Sequence, residues 1–155
     1  MSRVLVTGGA KGVGAAIVRA LVEAGHDVDF ADLAEIGLPF LDEPAHPAKK
    51  QYTQPHTIEW SERVDAAEAV ILVTPEYNHS YSPALKNALD WVSRVEGNAW
   101  NGKPVAVMSA AAGRAGGERA QMILRSFMVP FRPVILQGPE IHLAASSKAF
   151  DEHGR

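Results

Sequence analysis

Apolar runs bounded by turn residues alternate along this chain with segments of helical periodicity. That alternation predicts βαβ units packed around a parallel sheet, an α/β fold. Helical periodicity covers residues 12–24, 57–67, a segment that begins near Ser82, and residues 117–127. The proposed strands are residues 3–7, 27–31, 69–74, 105–109 and 133–137.

Two segments depart from this alternation. Residues 36–56 contain four prolines and little periodicity, which predicts a long surface loop. After the fifth proposed strand, about 18 residues remain, and they lack the pattern of an amphipathic helix. We therefore expect one sheet edge to be incompletely covered, either because a last helix is missing or because a partner subunit covers it.

Composition narrows the class of protein. A length of 155 residues suits a single domain, residues 1–155. The absence of Cys excludes a disulfide scaffold and Cys-ligated metals, and the six His residues show no metal-ligand spacing. A net charge of −3 argues against nucleic-acid binding, and no apolar run approaches the roughly 20 residues that span a bilayer. We expect a cytoplasmic protein with no membrane segment and no metal.

The opening TGGAKGVG, residues 7–14, lies between an apolar strand and an amphipathic helix. Glycines there allow close approach of an anion to the backbone N–H groups of the helix N-terminus. Asp32 follows at the spacing at which a dinucleotide site places an acidic side chain on the ribose. The alternative interpretation of these residues is a tight strand-to-helix turn followed by an Asp that caps a helix. The candidate phosphate-binding residues are Thr7, Gly8, Gly9, Lys11, Gly12, Val13 and Gly14.

Residues 1–32 resemble the opening of short-chain dehydrogenase/reductases, whose TGxxxGxG fingerprint is matched at residues 7–14. That family requires a Tyr and a Lys four positions later, and no Tyr of this chain has such a Lys. Complete dehydrogenase chemistry is therefore not expected.

A second motif, TPEYN followed by HSYSPALKNALDW, begins at the end of the third strand. Tyr77 offers a flat stacking surface, Asn78 offers a donor and an acceptor, and the backbone of Pro75 and Glu76 can face the edge of a planar ring. The loop after the fourth strand, SAAAGRAGG, is small enough for its backbone to approach such a ring. Plainer interpretations are a solvated Glu76, a packed Tyr77 and a simple connecting loop.

PEYN at residues 75–78, Ser80, and LKNALDW at residues 85–91 resemble the signature of the NADPH-dependent FMN reductase family, and the similarity extends over residues 32–155. The resemblance implies a flavodoxin-like α/β sandwich of strand order 2-1-3-4-5, with the last helix missing or reduced. It also implies noncovalent FMN, NADPH or NADH as electron donor, a quinone, azo or flavin acceptor, and a homodimer or higher homo-oligomer. No side chain would then act as an acid or base. The residues around the flavin ring would be Pro75, Glu76, Tyr77, Asn78, Ser109, Ala110, Gly113 and Gly116.

The first loop departs from that family. Its usual pattern is GSxRxxS, whereas this chain has Gly9, Lys11 and Gly14 at the Ser, Arg and last Ser positions. We therefore consider a composite chain, natural or engineered, in which a dehydrogenase-like βαβ segment is joined near Asp32 to an FMN-reductase-like body. The alternative functions are a noncatalytic α/β domain with weak or absent FMN binding, and an NAD(P)-binding domain that uses TGGAKGVG and Asp32.

Overall fold

The long apolar runs form the strands that their pattern predicts. The computed structural model describes residues 1–8, 12–41, 54–94 and 97–151. In the middle of β3, Leu72 and Val73 point to opposite faces and both are buried, as expected for a strand covered on both sides. The strands are β1 (Arg3–Thr7), β2 (Asp27–Ala31), β3 (Ala69–Pro75), β4 (Pro104–Ala110), β5 (Val134–Ile135) and β6 (Ile141–Leu143).

The strands form one parallel sheet in the order β2-β1-β3-β4-β5, which confirms the predicted order, and β6 adds a sixth strand beside β4. β5 pairs with the beginning of β4, at Pro104 and Val105, and β6 pairs with its end, at residues 108–110. The short strands β5 and β6 therefore both pair with β4, along the same edge of that strand. The predicted strand at residues 133–137 was too long, because the chain leaves the sheet after Ile135 and returns at Ile141.

Helices cover the two faces unequally. α1 packs on one face, while α3, α4 and α5 pack on the other. Ser82 begins α4 by accepting a hydrogen bond from the Leu85 N–H at 3.3 Å, and Pro83 occupies the first turn, as the sequence predicts. No helix in the described parts of the chain is long and apolar enough to cross a bilayer. The helices are α1 (Gly12–Glu23), α2 (Leu33–Ile36), α3 (Pro55–Ala66), α4 (Pro83–Val92) and α5 (Glu118–Met128).

The edge formed by β5 and β6 is incompletely covered, as expected. Between β5 and residue 151, the described chain forms β6 and a 3₁₀ turn at Ser146–Lys148, and no α-helix. Val134, Leu136 and Ile141 consequently remain exposed. These apolar side chains mark the edge at which a further element would find a partner surface.

Residues 39–41 of the predicted loop at 36–56 contact the LKNALDW helix. Residues 42–53 of that loop lie outside the described chain. Asn87 and Trp91 of α4 both donate hydrogen bonds to the Pro39 carbonyl, at 2.9 and 2.7 Å. The Asn87 carbonyl in turn accepts from the Leu41 N–H at 3.0 Å. Two of the motif's polar groups therefore fix the segment at residues 39–41 against α4.

Candidate functional site

The carboxyl ends of β1, β3 and β4 lie side by side at one edge of the sheet. Thr7 pairs with Leu72, and Pro75 pairs with Ala110 in the adjacent ladder. The loops that follow these three strands therefore meet at one edge, at the position where strand order reverses between β1 and β3. Ligands of open α/β sheets bind at such positions.

The end of β1 carries an unused hydrogen-bonding group. Thr7 is fully buried, and among the described residues its hydroxyl has no hydrogen-bond partner. A Cβ on Gly8 would lie 2.1 Å from the Val73 carbonyl oxygen, and the φ of Gly8 is +78°. Only glycine fits there, because both the space and the backbone conformation exclude a side chain.

The remaining predicted residues of this first loop lie partly in α1. Gly12, with φ +59°, begins that helix, Gly14 is buried in its first turn, and Val13 packs on the apolar face of the sheet. Gly9 and Lys11, both predicted to hold a phosphate, lie outside the described residues.

The segment after β3 makes a tight turn that presents Tyr77. Tyr77 and Ser80 exchange two backbone hydrogen bonds, of 2.8 and 3.0 Å, and the two residues between them have left-handed φ values, 50° for Asn78 and 64° for His79. Asn tolerates this conformation better than most residues. Tyr77 is 57% exposed, so it is not the packed loop anchor of the plainer interpretation.

The Glu76 side chain joins this turn to the first turn of α5. Its carboxylate accepts a hydrogen bond from the Ala120 N–H of α5 at 3.1 Å, and it lies 3.7 Å from His79. Arg119 Nη1 lies 2.9 Å from the His79 ring nitrogen Nδ1, which adds a second contact between this turn and the start of α5. Glu76 is therefore not the solvated residue of the plainer interpretation: what it offers a ligand is its backbone.

The loop after β4 is shaped by two glycines in left-handed conformation. Gly116 has φ +63°, and a Cβ there would lie 2.7 Å from the His142 carbonyl carbon. Gly117 has φ +93°, and its Cβ would lie 2.8 Å from the Ser109 hydroxyl. A Cβ on Gly113, in contrast, would meet no described atom within 4 Å, so the space above this glycine is open to a ligand.

Ser109 is buried at the end of β4, and its hydroxyl is used within the protein. It donates to the Gly116 carbonyl at 2.7 Å and accepts from the Gln121 amide at 2.9 Å. Ala110 is half-buried beside Pro75. The two predicted faces of the site, residues 75–78 and residues 109–116, thus come together at one sheet edge.

Gln121 and β6 are the parts of this site that sequence reasoning missed. Gln121 lies on the buried face of α5, between the apolar residues Ala120 and Leu124. A lone amide in an otherwise apolar helical stripe is a signal that the sequence could have offered, because most buried side-chain amides have hydrogen-bond partners. For β6, three residues are too short for a periodic pattern to be recognised.

Asp32 caps a helix, which is the plainer of the two interpretations of this residue. Its side chain accepts a hydrogen bond from the Ala34 N–H at 2.9 Å and caps α2. The carboxylate therefore serves as an ordinary N-cap, which removes one support for a dinucleotide site at the end of β2.

The α/β architecture, with a candidate site at the carboxyl ends of β1, β3 and β4, is that of a flavodoxin-like protein. The model of the NADPH-dependent FMN reductase family matches residues 6–147, and the chain belongs to that family. An NAD(P)H-dependent FMN reductase of Pseudomonas aeruginosa is 37% identical over 135 residues, which are 87% of this chain and 70% of that protein. A quinone reductase of Escherichia coli is 38% identical over 102 residues, 64% of this chain and 54% of that protein.

Solved structures agree with this assignment. A flavoenzyme NAD(P)H:(acceptor) oxidoreductase from Paracoccus denitrificans superposes with a TM-score of 0.81 at 25% identity, over 99% of this chain and 85% of that one. The family match begins at residue 6 and crosses residue 32, so the comparisons give no support to a dehydrogenase-like opening or a composite chain. They also do not favour the noncatalytic or NAD(P)-binding alternatives.

Proposed function

We propose that this protein binds FMN at the edge formed by β1, β3 and β4 and works as an NAD(P)H-dependent oxidoreductase. The observation that carries the proposal is the pair of loops that follow β3 and β4, residues 76–80 and 110–117, which begin side by side in a chain of this family. Glu76 ties the first of these loops to the start of α5. Reductases of FMN and of quinones among its relatives support the same reaction class.

The residues present fit the two parts of FMN. The buried Thr7 hydroxyl, the close-fitting Gly8 and the first turn of α1 supply neutral donors for a phosphate, and the predicted Gly9 and Lys11 would complete that loop. Tyr77 and Asn78 on one side, and the open space above Gly113 on the other, suit a flat ring.

Bound FMN would supply the redox chemistry, which is hydride transfer from NAD(P)H and electron transfer to an acceptor. The chain itself binds and orients. The Tyr77 turn is held by its own backbone bonds, and the Glu76 carboxylate is occupied by the Ala120 N–H. We infer that no side chain transfers a proton, and that the acceptor is a small molecule such as a quinone or a free flavin.

The phosphate end is where this chain differs from the family pattern. Two hydroxyl donors are absent at Gly9 and Gly14, and each hydrogen bond to a charged group contributes roughly 1.5–3 kcal/mol. The Thr7 hydroxyl and Lys11 consequently carry more of the phosphate binding in this chain. FMN affinity is the quantity most sensitive to these residues.

Titration of the purified protein with FMN tests the proposal. We expect quenching of flavin fluorescence on binding, and flavin-dependent oxidation of NAD(P)H with a quinone. Thr7→Val keeps the shape and removes the hydroxyl, so we expect about tenfold weaker FMN binding. Lys11→Ala should weaken binding more at low salt than at high salt.

Thr57→Val is the matched control, because it also removes a buried hydroxyl, at the start of α3 and outside the loops that follow β1, β3 and β4. It should lower stability and leave FMN affinity unchanged. A protein that neither quenches FMN fluorescence nor oxidises NAD(P)H in its presence would refute the proposed function.

A homodimer and a cytoplasmic location complete the proposal. The exposed apolar residues Val134, Leu136 and Ile141 at the β5–β6 edge, together with the family, support self-association. The absence of Cys is compatible with a reducing compartment. Light scattering after size-exclusion chromatography measures the mass in solution, and a monomeric mass would contradict the proposed homodimer.

A further inference from the structure

A chain of buried hydrogen bonds runs beneath the loop at residues 110–117. The Gln121 amide nitrogen donates to the Ser109 hydroxyl at 2.9 Å and to the Ile141 carbonyl at 2.7 Å. The Ser109 hydroxyl donates onward to the Gly116 carbonyl at 2.7 Å. One side chain thereby connects α5, β4, β6 and the last turn of the loop.

The direction of these bonds is determined by their acceptors. The carbonyl groups of Ile141 and Gly116 can only accept, so the Gln121 –NH₂ group must face Ile141 and the Ser109 proton must point to Gly116. The bond from Gln121 to Ser109 polarises the bond from Ser109 to Gly116, because both run from donor to acceptor in the same direction. The result is a single defined arrangement of loop and strand.

Gln121 occupies a buried site in the otherwise apolar stripe of α5. It is only 1% exposed, and its amide oxygen has no hydrogen-bond partner among the described residues. Leaving that oxygen buried is unfavourable, so the two bonds from the amide nitrogen must offset a real cost. An apolar residue would avoid the cost but would leave the Ser109 hydroxyl and the Ile141 carbonyl without this donor.

The C-terminal segment also holds the same loop, through backbone hydrogen bonds. The Ala111 N–H donates to the Leu143 carbonyl at 3.0 Å, and the Ser146 N–H donates to the Ala111 carbonyl at 3.1 Å. The Ala145 N–H donates to the Gly113 carbonyl at 3.2 Å. The segment that lacks an amphipathic helix therefore has a defined place, as a backbone support for the loop.

We infer that Gln121 is a positioning residue: through Ser109 and β6 it fixes the loop at residues 110–117 in the conformation that receives the flavin ring. The identity of the ligand in this inference, FMN, rests on the proposed function. The role of Gln121 in holding the loop does not, because its hydrogen bonds are present without any ligand.

Gln121→Met tests this role, since Met has a similar volume and no N–H donor. In flavin-free protein we expect amide hydrogen exchange at Ala111, Ala145 and Ser146 to become about tenfold faster, the factor expected for losing one well-made hydrogen bond. Amides of β1 and β3 should keep their protection. FMN should bind about tenfold more weakly, with a changed visible spectrum of the bound flavin.

Ser109→Ala is the second variant, and it keeps the Gln121–Ile141 bond while removing the link to Gly116. If Gln121→Met fails to fold, Ser109→Ala decides the question by the same two measurements. In the double variant, the loss of FMN affinity should be smaller than the sum of the single losses, because both changes break one chain of bonds. Gln137→Met, at an exposed glutamine, is the matched control.

A lower melting temperature with unchanged loop exchange would overturn the inference, because Gln121 would then only stabilise the fold. Faster loop exchange with unchanged FMN affinity and spectrum would overturn it too, since the loop conformation would not matter to the flavin. A parent protein that does not bind FMN would refute the proposed function, while the exchange measurement would still decide whether Gln121 holds the loop.

Discussion

The carboxylate of Glu76, at the end of β3, caps α5 by accepting a hydrogen bond from the backbone N–H of Ala120. Gly117 occupies the N-cap position of α5 and has no side chain to do this. Glu76 therefore supplies the missing cap from a distant part of the chain, and its negative charge also complements the positive end of the helix. Through this contact, the Tyr77 turn and the start of α5 are held together.

Removing that cap should affect both stability and ligand binding. We expect Glu76→Ala to lower the free energy of unfolding by about 0.5–2 kcal/mol, the usual value of an N-cap. FMN affinity should fall as well, because the Tyr77 turn loses its link to the start of α5. Urea unfolding and FMN titration measure the two effects.

Two further variants separate charge from hydrogen bonding. Glu76→Gln keeps an acceptor for the Ala120 N–H and should retain more stability than Glu76→Ala. Glu118→Gln removes an exposed acid from the first turn of the same helix, and should leave FMN affinity unchanged. Equal FMN affinity in Glu76→Ala and the parent would show that the two loops do not depend on this contact.

Gly116 is required by the packing of its loop against β6. An alanine there would place a Cβ within 2.7 Å of the His142 backbone at a φ of +63°. We expect Gly116→Ala to lower the free energy of unfolding by about 1–3 kcal/mol, and to reduce FMN binding. Denaturant unfolding in the absence of flavin measures the first effect separately.

Gly113→Ala provides the contrast within the same loop. No described atom lies within 4 Å of the added Cβ, so the fold should tolerate it. If the flavin ring passes over Gly113, FMN affinity should nevertheless decrease. Unchanged FMN affinity in a stable Gly113→Ala variant would place the ring elsewhere.

The sequence was sufficient for the parts of the fold that long local patterns determine. The strands β1 to β4 are five to seven residues long and are bounded by turn residues. β1, β3 and β4 are largely apolar runs and β2 alternates polar and apolar residues, so their positions could be predicted nearly to the residue. The two site loops could be predicted because each follows such a strand. Parallel pairing alone brings their residues to one edge.

The rest depends on contacts between distant residues. The four residues of α2 and the three of β6 are too short to show a period, and β6 forms because β4 offers it a partner. The role of Glu76 required knowing that α5 begins beside it, and that of Gln121 required knowing which strand lies under α5. The spacing of these residues along the sequence does not show that either pair of elements lies close together.

Asn87 anchors the segment at residues 39–41, and its loss should loosen that segment. Asn87→Ala removes one bond to the Pro39 carbonyl and leaves the Leu41 N–H without its acceptor. We expect a loss of about 1–3 kcal/mol in the free energy of unfolding, and faster proteolysis near Leu41. Trp91 still donates to Pro39, which limits the effect.

Asn101→Ala, at an exposed asparagine, is the control for this prediction. Its stability and its proteolysis pattern should match those of the parent. Proteolysis of Asn87→Ala at the parent's rate would show that Trp91 alone is enough to hold the segment.

The buried Tyr81, which follows the Tyr77 turn, should make the protein sensitive to alkaline pH. Burial raises the pKa of its hydroxyl from 10.0 to about 12, and the negative charge of Asp90 adds to the rise. Between these two values, the unfolded chain loses the Tyr81 proton while the folded protein keeps it, so the free energy of unfolding should fall as pH rises through this window. Below pH 10.0, the group should contribute no pH dependence.

Tyr81→Phe should remove this part of the pH dependence. Urea unfolding of the parent and the variant, measured at a series of pH values between 10.0 and about 12, gives the two slopes, and the parent's should be steeper. Other groups also titrate in this range, so the difference between the slopes isolates Tyr81. Tyr77→Phe removes an exposed hydroxyl and serves as the control. Parallel slopes for parent and Tyr81→Phe would show that Tyr81 ionises equally in the folded and unfolded states.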